Sequence, residues 1–193
     1  MAIGEQILQK VVHKGGGTDA EELSLLYHLA QETQRGVIVE VGSARGGSTV
    51  ALALGSKSGF QAPVYAIEPH EHFVGVLGGV FTPEFRSLFF ENLLATKTAD
   101  MVRLVNLSSE VVTPGWDREV GLIFIDGDHT YEGVKRDCRC WMPHVVPGGL
   151  MVFHDSLDET IGPYRVIQEA IEARVLSRVD VVSRTTILRK IST

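Results

Sequence analysis

Asp126, His129, His154 and Asp155 are the side chains of this sequence whose types and spacing suit chemistry. Asp126-Gly127-Asp128-His129 follows the apolar run Leu122-Ile123-Phe124-Ile125, and His154-Asp155 follows Leu150-Met151-Val152-Phe153. Both runs read as buried strands. Asp126, His154 and Asp155 then fall at the carboxyl ends of adjacent strands, the edge of an open α/β sheet where ligands bind. Two carboxylates and an imidazole converging there make a divalent-cation site. Such a cation holds two vicinal hydroxyls and lowers the pKa of one. His129 stands just beyond and is placed to take the proton, because an imidazole titrates near neutral pH. Structural alternatives remain open: a capping and hydrogen-bonding role for His154-Asp155, and a loop histidine at position 129.

A second constellation lies upstream. The apolar stretch from Val37 meets Glu40 and runs into Gly42-Ser43-Ala44-Arg45-Gly46-Gly47-Ser48, which reads as strand, glycine turn and helix start. Small residues let the backbone approach a ligand, and the helix start offers free N–H groups. A strict dinucleotide fingerprint is absent, because Ala44 occupies the second glycine position. An acid two residues before the turn sits badly beside a phosphate and well beside an ammonium group. The pattern therefore points away from NAD and toward S-adenosylmethionine, with a turn that binds nothing as the alternative. Glu68 ends the next strand, where a carboxylate accepts both ribose hydroxyls of an adenosine; a solvated loop acid is the other reading. Ser108 and Ser109 either meet the adenine edge or cap a helix before Glu110. The expected cofactor contacts are thus Glu40, Gly42, Ser43, Ala44, Gly46, Ser48, Glu68, Ser108 and Ser109, with Asp126 and His129 where cofactor and acceptor meet.

Weaker signals are the pair His70-x-His72, the apolar glycine-containing segment from Gly75 to Phe81, which reads as a mobile lid or acceptor loop, and Arg45, which points to a carboxylate or to solvent. Trp116 and Trp141 read as packing residues.

These side chains need a scaffold. Ile3, Ile7, Leu8 and Val11 share one helical face; Gly15-Gly16-Gly17 breaks the chain; Thr18 or Asp19 caps a second helix with Leu23, Leu26, Tyr27 and Ala30 inward. Strands over 64–67, 102–106, 122–126 and 150–153 then alternate with helices over 83–95, 131–142 and 163–173, with Pro147-Gly148-Gly149 as a turn. Two β-rich segments near 179–182 and 185–188 close the chain as an antiparallel pair. Continuous apolar strands alternating with helices specify an α/β fold, a mostly parallel sheet with helices on both faces. The expected organisation is one Rossmann-like domain spanning 1–193: a core over 36–193 and a helical extension over 1–35, lying across the open end of the sheet or forming a dimer contact.

The 193 residues suit one sizeable core. A formal net charge of −6 provides no basic stripe for nucleic acid or a membrane surface. No apolar stretch nears the ~20 residues needed to span a bilayer. The first residues show no secretion signal, and Cys138 and Cys140, two apart on a helix, cannot easily pair. A cytoplasmic protein with a small-molecule partner is expected.

Over nearly its whole length the chain resembles the class I S-adenosylmethionine-dependent methyltransferases, on the Glu40–Gly46 loop, Glu68, the Asp126 strand and the terminal hairpin. Within that class, Asp126-Gly127-Asp128-His129-x-Tyr131 and the Pro-Gly-Gly…His154-Asp155 ending resemble the small bacterial group related to the macrocin and mycinamicin sugar O-methyltransferases. Cephalosporin-pathway proteins and catechol O-methyltransferases are more distant relatives. The resemblance implies a seven-stranded sheet with an antiparallel last strand and a magnesium ion held by Asp126, His154 and Asp155. In related proteins the His154 position often carries an acid. A histidine three residues after the metal-binding acid serves the sugar enzymes as base, and His129 has that spacing. The implied activity is methyl transfer to a hydroxyl of a sugar or glycosylated metabolite, with a catechol-like phenol as competing acceptor. A dehydrogenase and a non-catalytic S-adenosylmethionine binder are the other classes in view.

Overall fold

The computed structural model describes residues 2–14 and 17–191. Seven strands form the main sheet: β1 (Val37–Val41), β2 (Val64–Ile67), β5 (Val102–Val105), β6 (Val120–Ile125), β7 (Val145–Phe153), β8 (Leu176–Val182) and β9 (Thr185–Lys190), in the order β5-β2-β1-β6-β7-β9-β8. The first five pair in parallel, and β9 runs antiparallel to both β7 and β8. The terminal pair is thus the antiparallel hairpin expected, but its last strand inserts between β7 and β8. A small hairpin, β3 (Phe73–Val74) and β4 (Val80–Phe81), stands apart from this sheet.

The central strands are buried along their length because helices cover both faces. One face carries α1 (Ile3–Lys10), α2 (Ala20–Gln31), α3 (Gly47–Ser58) and α4 (Phe85–Ala95), which share a core with Ile38, Ala66, Leu122, Phe124 and Val152. The other carries α5 (Ser109–Val112), α6 (Tyr131–Trp141) and α7 (Gly162–Glu172), with Val39, Ile123, Ile125, Met151 and Phe153 beneath them. The two-residue period of a strand divides these sets. It puts Glu40, in register with Ile38, on the α3 side.

The two N-terminal helices join a helical layer instead of crossing the open end of the sheet. α2 lies along α3 so closely that a Cβ on Gly55 would stand 2.0 Å from the Tyr27 carbonyl oxygen. Asp19, rather than Thr18, caps α2: its carboxylate accepts from the Glu22 N–H at 2.9 Å, and Glu22 accepts in return from the Asp19 N–H. The first turn of α2 reaches the strand ends, where Glu22 meets His154. Gly15 and Gly16, part of the expected chain break, lie outside the described residues.

Pro147-Gly148-Gly149 is not a turn before a strand but an irregularity inside β7. Val120 pairs with Val145, whereas Leu122 pairs with Leu150, so the extra residues bulge from the ladder between those points. Among the described residues no helix is long and apolar enough to cross a membrane, and both cysteines are free.

Candidate active site

The site forms where β1, β2, β6 and β7 end side by side. Gly42 permits that convergence. Its φ of +85° lies in the left-handed region, and a Cβ there would sit 2.3 Å from the Asp126 carbonyl oxygen. With no side chain in the way, the Asp126 N–H donates to the Val41 carbonyl at 2.8 Å and the Gly42 N–H to Ile67 at 3.1 Å. The His154 N–H donates to Ile125 at 3.1 Å, which levels the end of β7 with that of β6.

Glu40 and Glu68 secure the loop between β1 and α3 from two sides. Glu40 is fully buried, and its Oε2 accepts from the hydroxyls of Ser43, at 2.8 Å, and Thr49. Burial pushes its carboxyl up to about 7 against the Ser48, Thr49 and Ser43 hydroxyls, and Oε1 has no hydrogen-bond partner. Glu68 accepts from the backbone N–H of Ser43 at 3.1 Å, of Ala44 at 3.0 Å and of His70 at 2.9 Å. Each of its oxygens keeps lone-pair capacity for further donors.

Four ionisable side chains meet at the ends of β6 and β7. His154 Nδ1 lies 2.9 Å from Asp126 Oδ1 and 3.3 Å from Asp155 Oδ2; His129 Nε2 lies 3.5 Å from each carboxylate. Yet His154 Nδ1 and His129 Nε2 are buried without a hydrogen-bond partner. The nitrogens face the carboxylates without completing bonds to them. On its far side His154 Nε2 meets Glu22 Oε2 at 3.3 Å, and Arg184 donates to Asp155 Oδ1 at 2.8 Å. Burial raises the Asp126 carboxyl, opposed by His154 and His129. Burial would lower the His154 imidazole, but Asp126, Asp155 and Glu22 overcome it and push it up. Asp155 is pulled down by His154 and Arg184 despite burial.

One cavity of about 700 Å³ joins both constellations, a size that suits a small-molecule site. Gly42, Ser43, Ala44, Ser48, Glu68, Ser108, Ser109, Asp126, His129, His154 and Asp155 line it. Glu40 and Gly46 do not: Glu40 is held beneath the loop by hydroxyls, and Gly46 is the N-cap residue of α3, against Phe89. Ser108 occupies an N-cap position but makes no side-chain cap bond, while Ser109 Oγ accepts from the Trp141 indole at 3.0 Å.

The histidine pair does not converge on one point. His70 is buried and contacts the Ala44 carbonyl at 2.9 Å, whereas His72 is exposed on the cavity wall. The Gly75–Phe81 segment belongs to the small hairpin, and Phe73, Val76, Leu77, Val80 and Phe81 overhang the cavity. Arg45 stacks on Phe85 at 4.2 Å and donates to the Lys14 carbonyl at 2.8 Å. Trp116 and Trp141 pack edge to face, 5.0 Å apart. Sequence reasoning missed Glu22 and Arg184. Glu22 signals only a capping box, and Arg184 lies in a polar turn.

The profile of a methyltransferase domain family matches residues 39–156, more than half of the chain, from within β1 to just past the end of β7. Solved structures share the fold. An O-methyltransferase from Bacillus cereus in complex with S-adenosylhomocysteine (SAH) superposes with a TM-score of 0.74 at 16% identity, over 100% of this chain and 91% of that one. The SAH-bound methyltransferase PaMTH1 from Podospora anserina gives 0.73 at 14% identity, over 100% and 88%. Cofactor-bound Rv0187 from MTB gives 0.71 at 20% identity, over 98% and 88%. With the family profile spanning both constellations of the cavity, the chain belongs to the methyltransferase domain family.

Proposed function

We propose that the chain is an S-adenosylmethionine-dependent O-methyltransferase whose acceptor is a hydroxyl of a sugar or glycosylated metabolite, as in the macrocin and mycinamicin group. One observation carries this reading. A single cavity is lined both by Glu68 and the Ser43–Ala44 loop and by Asp126, His129 and Asp155. Glu68 would take the ribose hydroxyls. The sulfonium would face the cluster, where the hydroxyl oxygen attacks the methyl carbon in line. The C–O bond forms, the S–CH₃ bond breaks, and its electron pair stays on sulfur as a neutral thioether. The hydroxyl proton passes to His129 Nε2, which has no other partner and lies between two carboxylates that stabilise an imidazolium. Positioning carries much of the rate, because the substrate charge is lost in the reaction.

A divalent cation fits the residues present. His154 Nδ1 is an orphaned buried donor atom facing Asp126 and Asp155, and Glu22 engages the other ring nitrogen. Asp126, His154 and Asp155 would hold it, with His129 close beside them: the ligand atoms of Asp126, His129 and His154 all lie within 4.8 Å of one another. The two carboxylates suit Mg²⁺, the cation proposed here, and the imidazole also suits Mn²⁺. When bound, the cation lowers the pKa of the acceptor hydroxyl.

The apolar hairpin favours one competing acceptor, a catechol-like phenol, whose ring would lie against Phe73, Phe81 and Phe85. Calorimetric titration with SAH, with and without Mg²⁺, tests the main reading. Micromolar binding is expected; absence of binding in both conditions overturns it. Sugar and catechol panels then separate the acceptors.

A further inference from the structure

Glu22, on α2, does not line the cavity and takes no part in that chemistry, yet it is buried against His154. Its Oε2 meets His154 Nε2 at 3.3 Å. Its other neighbours are donors: Oε2 also accepts from the Asp19 N–H at 3.0 Å and from Arg184 at 3.3 Å, and Oε1 accepts from the Thr185 hydroxyl at 2.8 Å. A carboxylate so surrounded accepts and does not donate. An unprotonated Nε2 would set its lone pair against Oε2. The proton of a neutral ring therefore belongs on Nε2, which leaves the lone pair on Nδ1.

The surroundings hold the ring in that sense. Phe124 and His129 pack edge to face with it, their ring centres 6.0 and 6.2 Å away, and a Cβ on Gly17 would stand 3.7 Å from His154 Cε1. Nδ1 then faces Asp126 Oδ1 at 2.9 Å and Asp155 Oδ2 at 3.3 Å, with no hydrogen-bond partner of its own. Arg184 orients the second carboxylate from the same side. It donates to Asp155 Oδ1 at 2.8 Å and so leaves Oδ2 toward Nδ1. Resting on the divalent-cation reading, we propose that Glu22 is a positioning residue of that site: it keeps the proton on His154 Nε2, so that the Nδ1 lone pair, between Asp126 and Asp155, is the one offered to the cation. An outer carboxylate of this kind fixes the tautomer of a histidine ligand and raises its basicity. The strength of cation binding is thereby set in part from a helix that touches neither cofactor nor acceptor.

The test is a titration of the full chain with Mn²⁺, followed by the electron paramagnetic resonance of the free ion. Glu22→Gln should weaken Mn²⁺ binding by about 10–100-fold, because a neutral amide accepts more weakly and can also donate to Nε2. SAH affinity, measured calorimetrically without metal, should be unchanged. A merely structural role would lower the stability of the variant and leave the Mn²⁺ affinity of the folded protein unmoved; that result overturns the proposal. A second measurement needs no variant at Glu22. Nitrogen-15 NMR of the Mg²⁺-loaded wild type should show the His154 proton on Nε2 and none on Nδ1, and a proton on Nδ1 overturns the proposal. A wild type that binds no Mn²⁺ defeats the cation reading and this proposal with it, whereas binding that Glu22→Gln does not alter removes only the role of Glu22.

Discussion

Glu22, in the first turn of α2, touches His154 at the end of β7: Oε2 and Nε2 are 3.3 Å apart, across 132 residues of sequence, and both side chains are almost wholly buried. Glu22 also accepts from the Thr185 hydroxyl at 2.8 Å. Burial would raise its carboxyl, but His154, the Asp19 N–H and Thr185 hold it at about 2. A carboxyl lowered in the folded state contributes stability above its unfolded pKa and loses it as pH falls. Glu22→Gln should therefore cost on the order of 1–3 kcal/mol at pH 7. Urea unfolding should show that difference shrinking as pH drops from about 5 toward 3. A variant as stable as the wild type at pH 7 would mean the contact is energetically idle.

Two glycines with positive φ separate backbone strain from steric conflict. Gly148, in the β7 bulge, has φ +79° and nothing within 4 Å of a Cβ, so Gly148→Ala should cost about 1 kcal/mol. Gly42→Ala adds a collision with the Asp126 and Gly127 backbone and should cost clearly more, roughly 2 kcal/mol or above. It should also weaken SAH binding, because the strand end it displaces carries Asp126. Denaturant midpoints and calorimetry check both parts. Equal costs for the two variants would contradict the close approach.

Glu40 titrates in the opposite sense to Glu22. Its carboxyl is raised by burial to about 7, so the folded state holds a proton that the unfolded chain releases above about 4.5. That contribution is present in full below the unfolded pKa and is lost as pH rises through 7. Against Glu40→Gln, which stays neutral, the wild type should lose relative stability between pH 5 and 8, by up to roughly 3 kcal/mol. Thermal melts across that interval provide the comparison, and parallel curves would show that Glu40 does not titrate there.

His129 is proposed as the proton acceptor. His129→Ala should reduce turnover by about 10²–10⁴, while SAH affinity falls far less. A proportionate loss of both would move His129 from proton transfer to cofactor binding. Chelation of divalent cations should lower wild-type turnover as well, and turnover indifferent to chelation would remove the cation from the proposed reaction.

Much of this was legible in sequence because the strands are buried on both faces. Leu122–Ile125 and Leu150–Phe153 are continuous apolar runs, and the polar residues that follow, Asp126 and His154-Asp155, had to emerge at one edge. Strand order was not legible, since nothing in Thr185–Lys190 specifies insertion between β7 and β8. Nor did the residue pattern indicate that Glu40, although part of the glycine-loop pattern, faces hydroxyls beneath the loop; that follows from which side of β1 α3 covers. Glu22 and Arg184 were hidden for a common reason. Each meets the site from an element whose local pattern is fully explained by helix capping or a turn.

The bonds of Glu22 to His154, Arg184 and Thr185 have a bearing on synthesis. A chain emerging from the ribosome displays α2 and the glycine loop early, while the residues that tie Glu22 in place are still to be made. The cofactor wall on β1 and β2 can assemble first. The end of the cavity at His154 and Asp155 closes only after β9 has threaded between β7 and β8. Emergence of Arg184 and β9, rather than completion of the glycine loop, is then the event that makes the corner around His154 whole.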